Sequence, residues 1–145
     1  MNIASVLSDK GRKAIITTPA MRIDDVAAKL CEYRIGYLVV CDDANVVVGV
    51  LSERDIIRAI SDRKDRVGEL TVADLMTPDP ITCAPADDPA IVLKTMTQRG
   101  FRHMPVIEDR KLTGIVSSRD IIKHLLEREN KDHVTMNKLN ELGVY

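Results

Sequence analysis

The sequence predicts an α/β fold of the α+β type, made of two β-α-β-β-α units, and three observations carry that prediction. The first is an internal duplication: Gly49-Val50-Leu51-Ser52-Glu53-Arg54-Asp55-Ile56-Ile57 returns as Gly114-Ile115-Val116-Ser117-Ser118-Arg119-Asp120-Ile121-Ile122. The second is that the echo continues upstream in register. Thr18-Pro19-Ala20 stands against Ala84-Pro85-Ala86, Val26 against Val92, Leu30 against Met96, and Tyr37-Leu38-Val39-Val40 against His103-Met104-Pro105-Val106. A whole folding unit is therefore repeated. The third is that helix-spaced apolar residues and strand-like apolar runs alternate at matching places in both copies. At 145 residues the chain is the size of one ordinary domain, and halves of about 60 residues are marginal alone. The two repeats are expected to pack through their sheets about a pseudo-twofold axis, with any pockets as a related pair in the cleft between them.

Taken in order, the first strands are Ala14 to Thr17 and Ile81 to Cys83, the latter preceded by Met76-Thr77-Pro78-Asp79-Pro80, whose prolines forbid a helix. A helix follows in each copy, carrying Ile23, Val26, Ala27 and Leu30 or Ile91, Val92 and Met96, with Asp24 or Asp88 near its start. Next come apolar runs at Tyr37 to Cys41 and Val46 to Leu51, or His103 to Ile107 and Leu112 to Val116, each pair split by a polar turn. A second helix opens at Ser52 or Ser117 and carries Ile56, Ile57 and Ile60 or Ile121, Ile122 and Leu125. Between the repeats, Thr71 caps a short helix with Asp74 at box-like spacing. The expected division is residues 5–64, a linker with short helix at 65–75, residues 76–127, and a tail at 128–145. Val134, Leu139 and Leu142 would line a short helix in that tail, on its own module or on a second subunit.

Composition excludes several classes. Lys plus Arg (21) nearly balance Asp plus Glu (22), so no global field draws nucleic acid or anionic lipid, and without Trp and with one Phe base-stacking platforms are scarce. No apolar run approaches the roughly 20 residues that span a bilayer, and nothing in Met1 to Lys10 directs export, so a cytoplasmic location is expected. Cys31, Cys41 and Cys83 are odd in number without CxxC spacing, which favours buried reduced thiols over disulfides or zinc. His124 and His133 have no partner in the sequence, and no metal set or catalytic nucleophile is visible.

The repeated Gly-x-x-Ser-x-x-Asp is where chemistry concentrates. Glycine in or beside a strand lets a ligand or a neighbouring backbone come close. Serine in the first turn of a helix faces the free N–H groups and positive dipole end that favour phosphate. The aspartate offers two oxygens to the vicinal hydroxyls of a ribose. The same spacing is also close to the Ser-x-x-Glu capping box, which needs no ligand. The motif alone leaves both readings open.

Together with Asp74-Leu75-Met76-Thr77-Pro78-Asp79-Pro80-Ile81-Thr82 and Gly100-Phe101-Arg102-His103-Met104-Pro105-Val106, the two motifs resemble a tandem cystathionine β-synthase (CBS) domain pair, or Bateman module, over about residues 5 to 127. The resemblance implies a regulatory module that binds AMP, ADP, ATP, NAD(H) or, less readily, S-adenosylmethionine between its repeats. It implies one site with Ser52 and Asp55 on phosphate and ribose, the base against Thr77, Pro80, Ile81 and Thr82, and Arg102, His103 and Met104 nearby. The mate would use Ser117 and Asp120, with Ala14, Ile15 and Ile16 in the base pocket and Tyr37 and Leu38 where the first has His103 and Met104. Arg102 is the phosphate-facing candidate, since Arg suits bidentate phosphate contact. His103 reads equally as a hydrogen-bonded strand residue. Arg54 and Arg119 read as solvated first-turn residues, Arg119 being kept among the ligand contacts. Gly36-Tyr37 stands where the second copy has Arg102-His103, so the two sites are unequal in charge.

The leading function is thus a non-catalytic adenine-nucleotide sensor acting on an effector protein in trans. The alternative is a purely structural dimerisation module. An enzyme is disfavoured because no GxGxxG, Walker A, HExxH or GxSxG is present. Modules of this family associate through helices into homodimers, which here would join faces bearing Ile23, Val26, Ile56 and Ile121.

Overall fold

The computed structural model describes residues 1–10, 14–63 and 65–132. They form two compact units, one within 13–81 and 107–113, the other within 1–12, 82–106 and 114–145. The elements in chain order are α1 (Ile3–Lys10), β1 (Ile16–Thr17), α2 (Ile23–Tyr33), β2 (Tyr37–Cys41), β3 (Val47–Ser52), α3 (Glu53–Arg63), a 3-10 turn at Val67–Glu69, α4 (Val72–Leu75), β4 (Thr77–Pro78), α5 (Pro89–Arg99), β5 (His103–Glu108), β6 (Lys111–Ser117) and α6 (Ser118–Asp132). Helices and strands mix in the α+β manner that the sequence predicts.

In the first-repeat unit the sheet runs β1-β2-β3-β4. β1 is parallel to β2, as a β-α-β crossover requires, while β2, β3 and β4 are antiparallel neighbours. α2 buries Ile23, Val26 and Leu30 at helical spacing, and these meet Leu38, Val40, Leu51, Ala59, Val67 and Val72 in one core. In the second-repeat unit β5 pairs with β6, and Val92, Leu93 and Met96 of α5 pack with Met104, Val106, Val116 and Ile121. α2 and α5 end alike. Ile35 N–H donates to the Leu30 carbonyl (3.0 Å) and Phe101 N–H to that of Met96 (3.1 Å), each across a left-handed residue: Arg34 at φ 53° and Gly100 at φ 77°. Glycine takes that conformation without penalty; arginine does so at a cost of about 1 kcal/mol.

Each core is finished by a helix from outside its own repeat's β-α-β-β-α segment. α4 donates the N–H groups of Val72 and Ala73 to the carbonyls of Met21 (2.9 Å) and Pro19 (3.0 Å). α1 donates those of Ile3 and Ala4 to Asp87 and Pro85, both at 2.9 Å. Pro19 and Pro85 are equivalent in the duplication, so α1 and α4 hold equivalent seats, one on each core. Ile3 and Val72 are both fully buried there. Both helices start on a side-chain cap: the Asp74 carboxylate accepts from Thr71 N–H (2.8 Å) and hydroxyl (3.1 Å), and the Asn2 amide oxygen accepts from Ser5 N–H and hydroxyl, each at 3.0 Å.

Several expectations are corrected. The first strands are shorter than predicted: β1 keeps only Ile16 and Thr17, and Ile81 to Cys83 contributes a single parallel bridge, Cys83 to Val106. Pro80 and Pro85 lack an N–H on either side, and the Ala84 N–H is already given to the Asp87 carboxylate at 2.8 Å. Nothing in the periodicity of residues 1–10 pointed to α1. Ile91 lies outside the buried stripe and is 64% exposed, because the 3.6 period aligns Pro89, Val92, Leu93 and Met96 inward instead. α6 continues beyond Glu127 to Asp132. Cys41 and Cys83 are buried, with the Cys83 thiol pushed up to about 12 by burial, but Cys31 is exposed on α2. Ile23, Val26 and Ile121 are core residues, at most 1% exposed, and so cannot form a dimer face. The apolar surface of α3 is instead Ile57 and Ile60, at 64% and 52% exposure. The tail helix expected at Val134, Leu139 and Leu142, and His133, lie outside the described residues.

Candidate functional site

In each unit one end of the sheet meets the start of a helix, and the candidate residues gather there. β3 ends at Ser52 and α3 begins at Glu53 without a break. Antiparallel pairing sets Tyr37 opposite Ser52 and Leu38 opposite Leu51, and β4 sets Thr77 opposite Val50. Parallel pairing of Ile16 with Val39 brings Ala14 and Ile15 to the same sheet end. Pro80 and Ile81 follow β4, Ile81 being 41% exposed. The Ile16 carbonyl already accepts a 2.6 Å hydrogen bond from Lys29 Nζ. Tyr37 is largely buried, which raises its phenol above the ordinary value.

The second-repeat unit repeats this arrangement. β6 ends at Ser117 and α6 begins at Ser118. The Ser118 N–H donates to the Arg102 carbonyl at 2.9 Å, as the Glu53 N–H donates to Gly36 at 2.9 Å. Arg102, His103 and Met104 therefore lead into β5 beside Ser117 and Asp120, and Thr82 sits one residue before the Cys83 bridge to Val106. Within its own unit, Tyr37 lies with Ser52 and Asp55, and Arg102 and His103 lie with Ser117 and Asp120. The reason is local, since each pair sits at the open end of one β-hairpin.

The Ser-x-x-Asp motif works as a capping box in both copies. Asp55 Oδ2 accepts from Ser52 N–H (2.8 Å) and Oγ (3.0 Å), while Asp55 N–H donates to Ser52 Oγ (3.3 Å). Asp120 Oδ2 accepts from Ser117 N–H (3.0 Å), and Asp120 N–H donates to Ser117 Oγ (3.1 Å). Both aspartates are half-buried. A carboxylate has about four lone-pair positions, so the box orients Asp55 Oδ2 and leaves Oδ1 free of partners among the described residues. The motif's glycines admit protein, not ligand. A Cβ at Gly49 would lie 2.6 Å from Met76 Sδ and 3.0 Å from the Thr77 carbonyl; one at Gly114 would lie 3.0 Å from both Leu7 Cδ atoms.

Two features were missed by sequence reasoning. His124, 8% exposed, places Nδ1 at 2.6 Å from Asp9 Oδ2 and ties α6 to α1, its Nε2 being buried without a hydrogen-bond partner among the described residues. The other is Glu53. Its carboxylate covers Gly36, where a Cβ would come within 2.9 Å of Cδ and Oε1. The equivalent place in the second repeat holds Ser118 against Arg102. Only the charge difference between Glu53 and Ser118 could have signalled this.

Among the described residues no three His, Cys, Asp or Glu side chains could hold a metal ion, and no helix is long and apolar enough to cross a membrane.

The family model for the CBS domain matches residues 10–62 and 72–127. An uncharacterized 17.7 kDa protein of Acidianus ambivalens is 37% identical over 116 residues, which are 79% of this chain and 69% of that protein. Across the first curated relatives the chain covers between 42% and 69% of their lengths. CBS domain protein PAE2072 of Pyrobaculum aerophilum, solved complexed with AMP, is similar with a TM-score of 0.74 at 26% identity, covering 88% of this chain and 99% of that one. The CBS domain pair of protein MJ0100, solved in complex with 5′-methylthioadenosine and S-adenosyl-L-methionine, gives 0.74 at 25% identity over 88% and 98%. With both repeats matched and the hairpin, helix start and box duplicated in each, the chain belongs to the CBS-domain family as a pair of CBS domains.

Proposed function

We propose that this protein is a regulatory module that senses adenine nucleotides and carries no catalysis of its own. The observation that supports this most directly is the doubled half-site: a half-buried aspartate, oriented by its own serine at a helix start, at the same sheet end in two repeats. A fixed carboxylate there can accept from ribose hydroxyls, and the adjoining N–H groups and dipole favour phosphate. The AMP bound by PAE2072 and the adenosine compounds bound by MJ0100 make AMP the first ligand to try, with ADP, ATP, NAD(H) and S-adenosylmethionine after it. Ser52, Asp55, Thr77, Pro80, Ile81, Thr82, Arg102, His103, Met104, Ala14, Ile15, Ile16, Tyr37, Leu38, Ser117, Arg119 and Asp120 remain the candidate contacts. Exposed Ile57, which lines a groove of about 480 Å³ between α2 and α3, and exposed Ile60 are proposed to meet a second copy. A cytoplasmic location and an effector protein in trans complete the reading.

The test is thermal unfolding of the chain with and without each nucleotide, repeated on Asp55→Asn and Asp120→Asn. A ligand at 100 times its Kd adds about 2.7 kcal/mol. A shift with at least one nucleotide, diminished in one variant, supports the sensor. Stabilisation by none of them leaves the structural dimerisation module, and sedimentation of the same samples reads the second copy directly.

A further inference from the structure

We infer that two copies of the chain meet first repeat to first repeat about a twofold axis, with Arg34 of each copy paired to Glu53 of the other. This rests on the proposal that Ile57 and Ile60 meet a second copy and adds which face of that copy they meet. The surface is a trough between α2 and α3. One groove of about 480 Å³, lined by Ala27, Ile56 and Ile57 with the charged Arg34 and Glu53, shares Ala27 and Ile56 with another of about 310 Å³ that reaches Ile60 and Gly68. The ridge beside it is apolar, Ile57 and Ile60 being 64% and 52% exposed. Their counterparts in the duplication, Ile122 and Leu125, are half-buried against the second core instead. Ile91 and Leu126, the exposed apolar residues of α5 and α6, stand where the first repeat has Asp25 and Ser61. The first repeat therefore presents a ridge and a trough together, and the second lacks the matching ridge. A face that carries both can pair with itself, since an isologous contact sets each ridge in the other copy's trough.

The charges make the same face complementary to itself. Arg34 and Glu53 are exposed, both line the larger groove and not the smaller, and neither has an ion-pair partner among the described residues. A twofold axis across the trough offers each guanidinium the other copy's carboxylate, so the pair occurs twice. At the matching positions the second repeat has Gly100 and Ser118, with Arg102 in place of Gly36, so a contact of first repeat on second would give Arg34 no carboxylate at the place of Glu53. Arg34 is also kept at a conformational cost. It holds φ 53° where the other repeat has Gly100, and strain of that kind gathers where a side chain has a use. Pairing across the axis supplies the use.

The experiment is sedimentation of the full chain as wild type, Arg34→Glu, Glu53→Arg, an equal mixture of those two, Arg34→Gly and Ile91→Asp. Each reversal alone sets like charges together at both ends of the contact and should weaken association roughly tenfold or more. Mixing should restore it. In the mixed dimer each end again joins opposite charges, which neither variant achieves with itself, and recovery shows that both are folded. Arg34→Gly should also weaken association while keeping the helix end, since glycine takes the left-handed conformation freely. Ile91→Asp should change nothing. A wild-type dimer that neither reversal weakens, whose weakened variants stay apart on mixing, or that Ile91→Asp dissociates, overturns the first-to-first contact and leaves the second copy in place. A chain that sediments as a monomer at every concentration overturns both.

Discussion

The two repeats are built to one plan, yet each relies on a different kind of segment to close its core. The first is completed by α4, which lies next to it in sequence; the second by α1, which the first repeat separates from the rest of that core. The seats match bond for bond, Ala73 to Pro19 and Ala4 to Pro85, and both beds contain a glycine that makes room, under Met76 in one case and Leu7 in the other. The difference teaches that duplication preserved the socket, while the chain order decides which helix fills it. It also sets the fit. Gly49 is pressed by backbone as well as side chain, whereas the atoms nearest a Cβ at Gly114 belong to the end of the Leu7 side chain.

Emptying the seats should give the largest effects. Ile3→Ala should cost about 2–5 kcal/mol in urea unfolding, and Val72→Ala, which removes fewer carbons, should cost less. Amide exchange should then accelerate around Met104, Val106 and Val116 for Ile3→Ala, and around Leu38, Val40 and Leu51 for Val72→Ala. Acceleration of the opposite core in either variant would break the assignment of helix to seat. Overfilling comes next. Gly49→Ala should cost about 1–3 kcal/mol because the Thr77 carbonyl cannot withdraw without disturbing β4, and Gly114→Ala less than about 1, since Leu7 can change rotamer. Equal costs would mean that the two beds are equally tight.

The smallest effect separates the two caps. Bonds from Thr71 N–H and then its hydroxyl hold the Asp74 carboxyl below its ordinary 3.8. Since the folded value lies below the unfolded one, this cap stabilises the fold above the ordinary value and is lost as pH falls through the folded value. Asn2 does not titrate. Below pH 3.8 the Thr71 amide should lose exchange protection before the Ser5 amide does, and Asp74→Asn should remove the difference. Earlier loss at Ser5 would contradict it.

Sequence and structure agree best where contacts are local. β2, β5 and the starts of α3 and α6 were legible to within a residue, because alternation, polar turns and Ser-x-x-Asp all act over a few positions. α1 was not. Ile3, Val6 and Leu7 become a core face only against Val92, Met104 and Ile121, and the His124 contact with Asp9 spans 115 positions. For the site, the serines and aspartates were legible from the repeat, whereas their grouping with Tyr37 or Arg102 followed from hairpin register. The role of Glu53 followed from a glycine's missing side chain, which no periodicity reports.

The placement of α1 has a consequence during synthesis. Ile3, Val6 and Leu7 leave the ribosome before either repeat, but the surface that covers them is finished only when β6 and α6 emerge. The first core lacks this delay, because α4 arrives directly after the strands it closes. The nascent chain therefore carries an uncovered apolar helix while the first core is already folding, and this segment is the one most in need of chaperone cover until the second core forms.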